Sequence, residues 1–201
     1  MRVFVLLLFM IVNFSVNAQT TGYKVGDIAS DFDLKNIDGK QVSLKNYTNA
    51  KGFIVIFTCN TCPYSIAYED RIIALHNKYS ALGFPVIAIN PNDPNHPGES
   101  YVNMQERAKS KKFPFAYLMD PDHIFTKKYG ANRTPHTFIL SKGTNGNVVE
   151  YIGAIDSDTD NAKGGGDKFV ELALNSLLQN KKPETTFTKA IGCTIKWKKT
   201  T

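Results

Sequence analysis

The run GFIVIF at 52–57 is six consecutive nonpolar residues, with no polar position on either face of the strand it would form. Successive side chains of a strand point to opposite faces, so a strand of this composition has to be covered on both. That excludes a sheet with one face in water and leaves a layered α/β arrangement. FPVIAIN at 84–90 repeats the pattern and supplies a second strand of the same kind.

The segments after these two runs fit crossover connections. Beyond 52–57, CPYSIAYEDRIIALHNKY spaces Ile66, Ile72, Ile73, Leu75 and Tyr79 along one helical face, with Glu69, Asp70, Arg71 and Lys78 on the other. The segment PNDPNHPG at 91–98 reads as a loop, 99–112 as a polar surface helix, 115–118 as a short strand and 122–129 as a helix stopped by Gly130. HTFIL and NVVEYIG flank the turn 142–146 as a hairpin. A last helix carries Phe169, Leu172, Ala173, Leu174, Leu177 and Leu178 on its apolar face. Ahead of all this, 23–47 reads as a hairpin turning at Asp38-Gly39 and ending in a helical turn. Alternating strands and helices predict a partly parallel sheet, and the late hairpin adds antiparallel partners.

Residues 1–18 read differently. Arg2, an apolar stretch from Val3 to Val12 and the small-residue ending Val16-Asn17-Ala18 form a secretory leader cleaved near Ala18. The stretch is short of the roughly 20 residues that span a bilayer. A periplasmic or secreted mature protein without a membrane span is therefore expected. The division predicted is 1–18 leader, 19–180 globular domain and 181–201 basic tail. Residues 19–180 hold 17 basic and 17 acidic residues, whereas 181–201 hold six and one. Excess charge confined to a tail of an exported chain does not indicate nucleic acid binding, and a solvated, partly mobile tail is one reading of it.

Export sharpens the meaning of the three cysteines, Cys59, Cys62 and Cys193. In an oxidising compartment thiols tend to be disulfide-bonded or redox-active, and a chain of 201 residues does not need staples to fold. Cys59 is expected where the buried strand stops and Cys62 one turn into the following helix. Both sulfurs are expected to meet that helix's free N–H groups, which stabilise a thiolate and lower its pKa. Cys59 is expected to be the accessible nucleophile and Cys62 the resolving thiol, with Pro63 stiffening the first helical turn. A zinc site requires further ligands, and His76, His96, His123 and His136 are scattered. No metal or other cofactor is expected.

A distant element completes the pattern. Arg133, Thr134 and Pro135 directly precede the strand HTFIL, and X-Pro bonds are those that adopt cis. With VGDIASDFDL near the start, GFIVIF running into CNTCP, the segment FAYLMDPDHIFTKKYG and TP ahead of HTFIL, residues 23–180 resemble the thioredoxin-like superfamily. Within it, they are similar to exported redoxins of the alkyl hydroperoxide reductase and thiol-specific antioxidant group. The resemblance implies a three-layer fold: a mixed central sheet, an N-terminal hairpin extension and helices on both faces. It also implies that Thr134-Pro135 is a cis peptide beside the cysteine pair, offering backbone groups to an incoming polypeptide.

The expected function is thiol-disulfide exchange through Cys59 and Cys62 with thiol- or disulfide-bearing proteins, supported by an unidentified electron donor. Two alternatives stay open. A thiol peroxidase is disfavoured because a Pro-x-x-x-Thr-x-x-Cys loop is absent: Gly52 and Val55 stand seven residues before the two cysteines. A copper-binding module would join the pair to His136, next to Pro135. Thr58 stands where many relatives carry tryptophan, and the only tryptophan is Trp197. Cys193 is either a free buried thiol or part of a tail that returns to the helix start. In the second case Trp197 would cover apolar surface there and Cys193 would resolve a disulfide with Cys59.

Overall fold

The computed structural model describes residues 22–159 and 166–199. The expected leader lies outside these residues, and among them no helix is long and apolar enough to cross a membrane. Among the described residues, ten strands and four helices occur in the order β1 (Ile28–Ala29), β2 (Leu34–Asn36), β3 (Gln41–Val42), β4 (Gly52–Phe57), α1 (Pro63–Tyr79), β5 (Val86–Asn90), α2 (Tyr101–Lys111), β6 (Ala116–Met119), α3 (Ile124–Tyr129), β7 (Arg133–Thr134), β8 (His136–Gly143), β9 (Gly146–Gly153), α4 (Phe169–Leu178) and β10 (Cys193–Thr194). A 3-10 turn at Leu44–Asn46 ends the N-terminal hairpin.

Eight strands form one mixed sheet in the order β1-β9-β8-β4-β5-β6-β2-β3. β4 pairs with β5, and β5 with β6, in parallel, whereas β8 lies antiparallel to both β4 and β9. The wholly buried β4 is central, and its residues divide between the two faces as period-two alternation requires. Ile54 and Ile56 join one core with α1, α2 and α4; Phe53, Val55 and Phe57 join another with Tyr129 of α3, Phe32, Leu34 and, from the C-terminal segment, Ile195. Helices thus cover both faces of the sheet, with cores on each side.

Three expectations about individual faces change. Ile66 is exposed, and Glu69 is buried in α1 because Arg107 of α2 reaches its carboxylate at 2.6 and 2.8 Å. In α4 the buried set is Val170, Ala173 and Leu174, while Leu172 faces out. The segment after α4 is docked rather than solvated. Thr188 bonds the Ile152 carbonyl through its amide, Asp93 N–H donates to the Lys196 carbonyl at 2.7 Å, and β10 pairs antiparallel with β7. Docking is explained by the apolar Ile195, which is only 4% exposed.

Candidate active site

β4 delivers the cysteine loop. Its ladder continues one residue beyond Phe57 through Thr58 N–H to Ile89 O at 2.9 Å, and the chain then bends at Asn60 and Thr61 before α1 opens at Pro63. Proline at the first helical position lacks only an N–H that would have no intrahelical acceptor. It also fixes the phase: Cys62, in extended conformation, is the N-cap. The positive end of α1 therefore addresses Cys62, one helical turn later in sequence than the expectation for Cys59.

The loop is held from beneath by Glu99, a residue with 0% exposure that sequence reasoning did not single out. Its carboxylate accepts from Asn60 N–H at 3.1 Å, Thr61 N–H at 3.0 Å, Thr61 Oγ1 at 2.5 Å and Asn90 Nδ2 at 2.8 Å. Asn60 is fixed further by donating to Gly98 O and accepting from Tyr117 Oη, at 2.8 and 2.9 Å. Both residues between the cysteines are thus set by a buried acid from the loop before α2. Nothing local marks Glu99 in the sequence, since its burial depends on the meeting of β5, the 91–98 loop and the cysteine turn.

Cys59 is a free thiol and buried, with 4% exposure. Its Sγ lies 3.2 Å from Thr134 Oγ1 and 3.7 Å from Ser65 Oγ. Burial pushes this thiol up, and the Glu99 charge adds to the rise. Hydrogen bonds from Thr134, the Cys62 amide and Ser65 pull the other way without overcoming it. The expectation of an accessible, acidified Cys59 is therefore corrected in this state: the residue lies behind the turn, out of solvent and near a buried carboxylate. Pro63 in the first helical position is the sequence signal that marks Cys62 instead.

Cys62 is as buried as Cys59, with 4% exposure, and is joined by a disulfide to Cys193, 131 residues away, with Cα atoms 5.9 Å apart. Cys62 Sγ also contacts Thr134 O at 3.1 Å. Thr134-Pro135 is a cis peptide, as the resemblance implied. β10 lies along β7 with Cys193 opposite Thr134 and Thr194 opposite Arg133. Gly192 runs so close that a Cβ there would stand 2.2 Å from Thr134 O. All three cysteines thus converge on Thr134: Cys59 on its hydroxyl, Cys62 on its carbonyl, Cys193 across the strand pair.

The tail does return to the helix start, with two differences from expectation. Cys193 bonds Cys62, not Cys59: β10 sets Cys193 opposite Thr134, whose carbonyl Cys62 Sγ touches. Ile195 is the residue that enters the core, while Trp197 is 45% exposed and packs at 4.9 Å against the ring of His123. His136 is buried against Phe138 at 4.7 Å, and its Nδ1 has no hydrogen-bond partner. Burial, then the Arg133 charge, lowers its pKa to about 4. Arg133 and His136 both line a cavity of about 550 Å³ with Tyr23, Tyr129 and Phe187. Among the described residues, no three His, Cys, Asp or Glu side chains are grouped to hold a metal ion.

Comparison with known proteins agrees with this fold. The AhpC/TSA family matches residues 25–150. The chain is 26% identical over 137 residues to the thiol-disulfide oxidoreductase ResA of Geobacillus thermodenitrificans, covering 67% of this chain and 72% of that one. It is similar to the crystal structure of an uncharacterized conserved protein from Geobacillus kaustophilus, with 30% identity, TM-score 0.81, and 89% and 94% of the two chains covered. The thioredoxin domain of a thiol-disulfide oxidoreductase from Bacteroides vulgatus shares the fold at TM-score 0.52 and 16% identity, over 66% of this chain and 91% of that one. A wholly buried central strand leading through a short turn to a cysteine at a helix N-cap, beside a cis Thr134-Pro135 peptide, is thus set in a recognised family: the chain belongs to the AhpC/TSA family and is a redoxin of thioredoxin-like fold.

Proposed function

We propose that this protein is a thiol-disulfide oxidoreductase that exchanges disulfides with protein partners through Cys62. The observation that carries the reading is the Cys62–Cys193 disulfide itself. A cysteine at a helix N-cap is bonded to a cysteine on an extended strand, and that strand runs antiparallel to the residues before a cis-proline. The likeness to a relative named for this activity supports it.

The chemistry is a two-electron exchange. A partner thiolate attacks Cys62 Sγ, the bond to Cys193 breaks, and Cys193 leaves as a thiolate that takes up a proton. A second partner thiol then displaces Cys62, so the partner is oxidised to a disulfide while Cys62 and Cys193 become thiols. Run backwards, the Cys62 thiolate attacks a partner disulfide. The positive end of α1 stabilises negative charge on Cys62 in either direction. In this reading Cys62, itself only 4% exposed while bonded, meets partners once the C-terminal strand yields, and Cys193 is its resolving thiol in place of Cys59. Work outside the cytoplasm after removal of residues 1–18 belongs to the same reading, with the electron donor still to be named.

The test is reduction of insulin by dithiothreitol, following precipitation with the wild type, Cys62→Ser and Cys59→Ser. Loss of catalysis in Cys62→Ser is expected. Full activity in that variant would sink the assignment.

A further inference from the structure

Three sulfurs directed at one residue call for an account of the one that is unbonded. Cys59 has no disulfide partner and lies in van der Waals reach of Thr134 Oγ1, while Cys62 touches the carbonyl of the same residue and Cys193 pairs with it across β10 and β7. Cys59 is three residues from Cys62 in a tight bend, and its sulfur accepts the Cys62 amide. Two cysteines at that separation in a turn are within the Cα range that a disulfide bridges.

The Cys62–Cys193 bond also holds the C-terminal strand in place. β10 is a two-residue strand, and its partner β7 is likewise two residues long. Neither belongs to the eight-stranded sheet. Beyond β10 the segment rests on Ile195, on Lys196 N–H to Asn92 Oδ1 at 2.9 Å and on Lys198 N–H to His123 Nε2 at 2.9 Å. So short a ladder is marginal by itself, and the disulfide is its covalent fastening.

We propose that Cys59 acts on the protein's own disulfide, moving it from Cys62–Cys193 to Cys59–Cys62 and so unlatching the C-terminal strand from β7. The Cys59 thiolate attacks Cys62 Sγ, a sulfur–sulfur bond forms between 59 and 62, and the bond from 62 to 193 breaks. Cys193 departs as a thiolate and takes up a proton equivalent to the one Cys59 lost. No oxidant or reductant is consumed, since one thiol and one disulfide remain throughout. The released strand exposes the backbone of Arg133 and Thr134, the edge that the family resemblance already assigns to an incoming polypeptide, so what is new is that the chain's own tail occupies that edge until the disulfide moves. The resident strand shows what fits there: glycine before the cysteine, because no Cβ is accommodated against Thr134 O, and an aliphatic residue two positions after it, in the place of Ile195.

This inference rests on the oxidoreductase reading, and its test separates the two. Full-length protein is equilibrated with oxidised glutathione, quenched in acid, alkylated and mapped by mass spectrometry, with amide hydrogen exchange of residues 190–199 measured in parallel. In the wild type both the 59–62 and 62–193 disulfides are expected. Cys59→Ser and Cys59→Ala should hold only 62–193, with exchange in 190–199 at least about tenfold slower than wild type. Cys193→Ser, a second and independent variant, should form the 59–62 disulfide on oxidation. Wild type carrying 62–193 alone, with tail exchange equal to that of the Cys59 variants, would overturn the relay. So would failure of Cys193→Ser to form 59–62. Either result leaves insulin reduction through Cys62 intact, whereas persistence of that activity in Cys62→Ser removes the reading beneath it.

Discussion

Substituting Glu99 tests whether one buried carboxylate sets the cysteine loop. Glu99→Ala deletes four acceptor contacts, but their donors differ in what happens next. Thr61 is exposed, so water can replace the acid at its amide and hydroxyl. The Asn60 N–H and the Asn90 side-chain amide are buried, with residue exposures of 8% and 0%, and are left without an acceptor. An unsatisfied buried donor costs about 1–3 kcal/mol, so the pair amounts to about 4 kcal/mol. For a chain of this length each kcal/mol lowers Tm by about 2–4 °C, which predicts a fall of roughly 8–16 °C. Glu99→Gln keeps the shape and one acceptor oxygen, so about half that loss is expected. It also removes a negative charge that helps raise the Cys59 thiol, so alkylation of Cys59 in reduced protein should accelerate at a fixed pH between 7 and 8. Circular-dichroism melts and timed iodoacetamide labelling read the two effects. Melting of Glu99→Ala within about 2 °C of wild type would refute the account of the loop.

Other outcomes rest on neighbouring contacts. His136 is held neutral by burial and has a folded pKa of about 4, below its unfolded value of about 6.5. The unfolded chain therefore binds the extra proton first, and stability present above pH 6.5 should be lost as pH falls towards 4, by about 3 kcal/mol in total. His136→Gln should flatten this part of a pH series of urea midpoints. Gly192→Ala should loosen β10 from β7, because its Cβ would meet Thr134 O, and dithiothreitol should then reduce Cys62–Cys193 faster, as followed by timed alkylation. Arg107→Ala strips Glu69 of its bidentate partner and leaves only Lys111 at 3.4 Å, so a stability loss of about 3 kcal/mol is expected in urea unfolding.

The layered sheet was legible because its determinants are local. The six-residue run at 52–57 coincides with β4, and the helix and hairpin signals after it hold to within a few residues. Thr134-Pro135 was legible through resemblance and is cis. Which cysteine caps the helix was misread: the C-x-x-C pattern favours the first sulfur, whereas Pro63 at the first helical position makes Cys62 the cap. Glu69 and Glu99 look like solvent residues on any polarity pattern, and only Arg107 and the turn amides, brought from elsewhere in the chain, explain their burial.

From its order of residues alone, this chain determined a two-faced central strand, crossover helices and a cysteine pair at a strand-to-helix junction, because periodicity and helix phasing act over a few neighbouring residues. The tertiary structure decided which sulfur stays unbonded, which two are joined across 131 residues, and that a charged side chain underlies the loop. Those outcomes depend on which distant segments share the limited space beside Thr134, a competition among packed surfaces that no local pattern encodes.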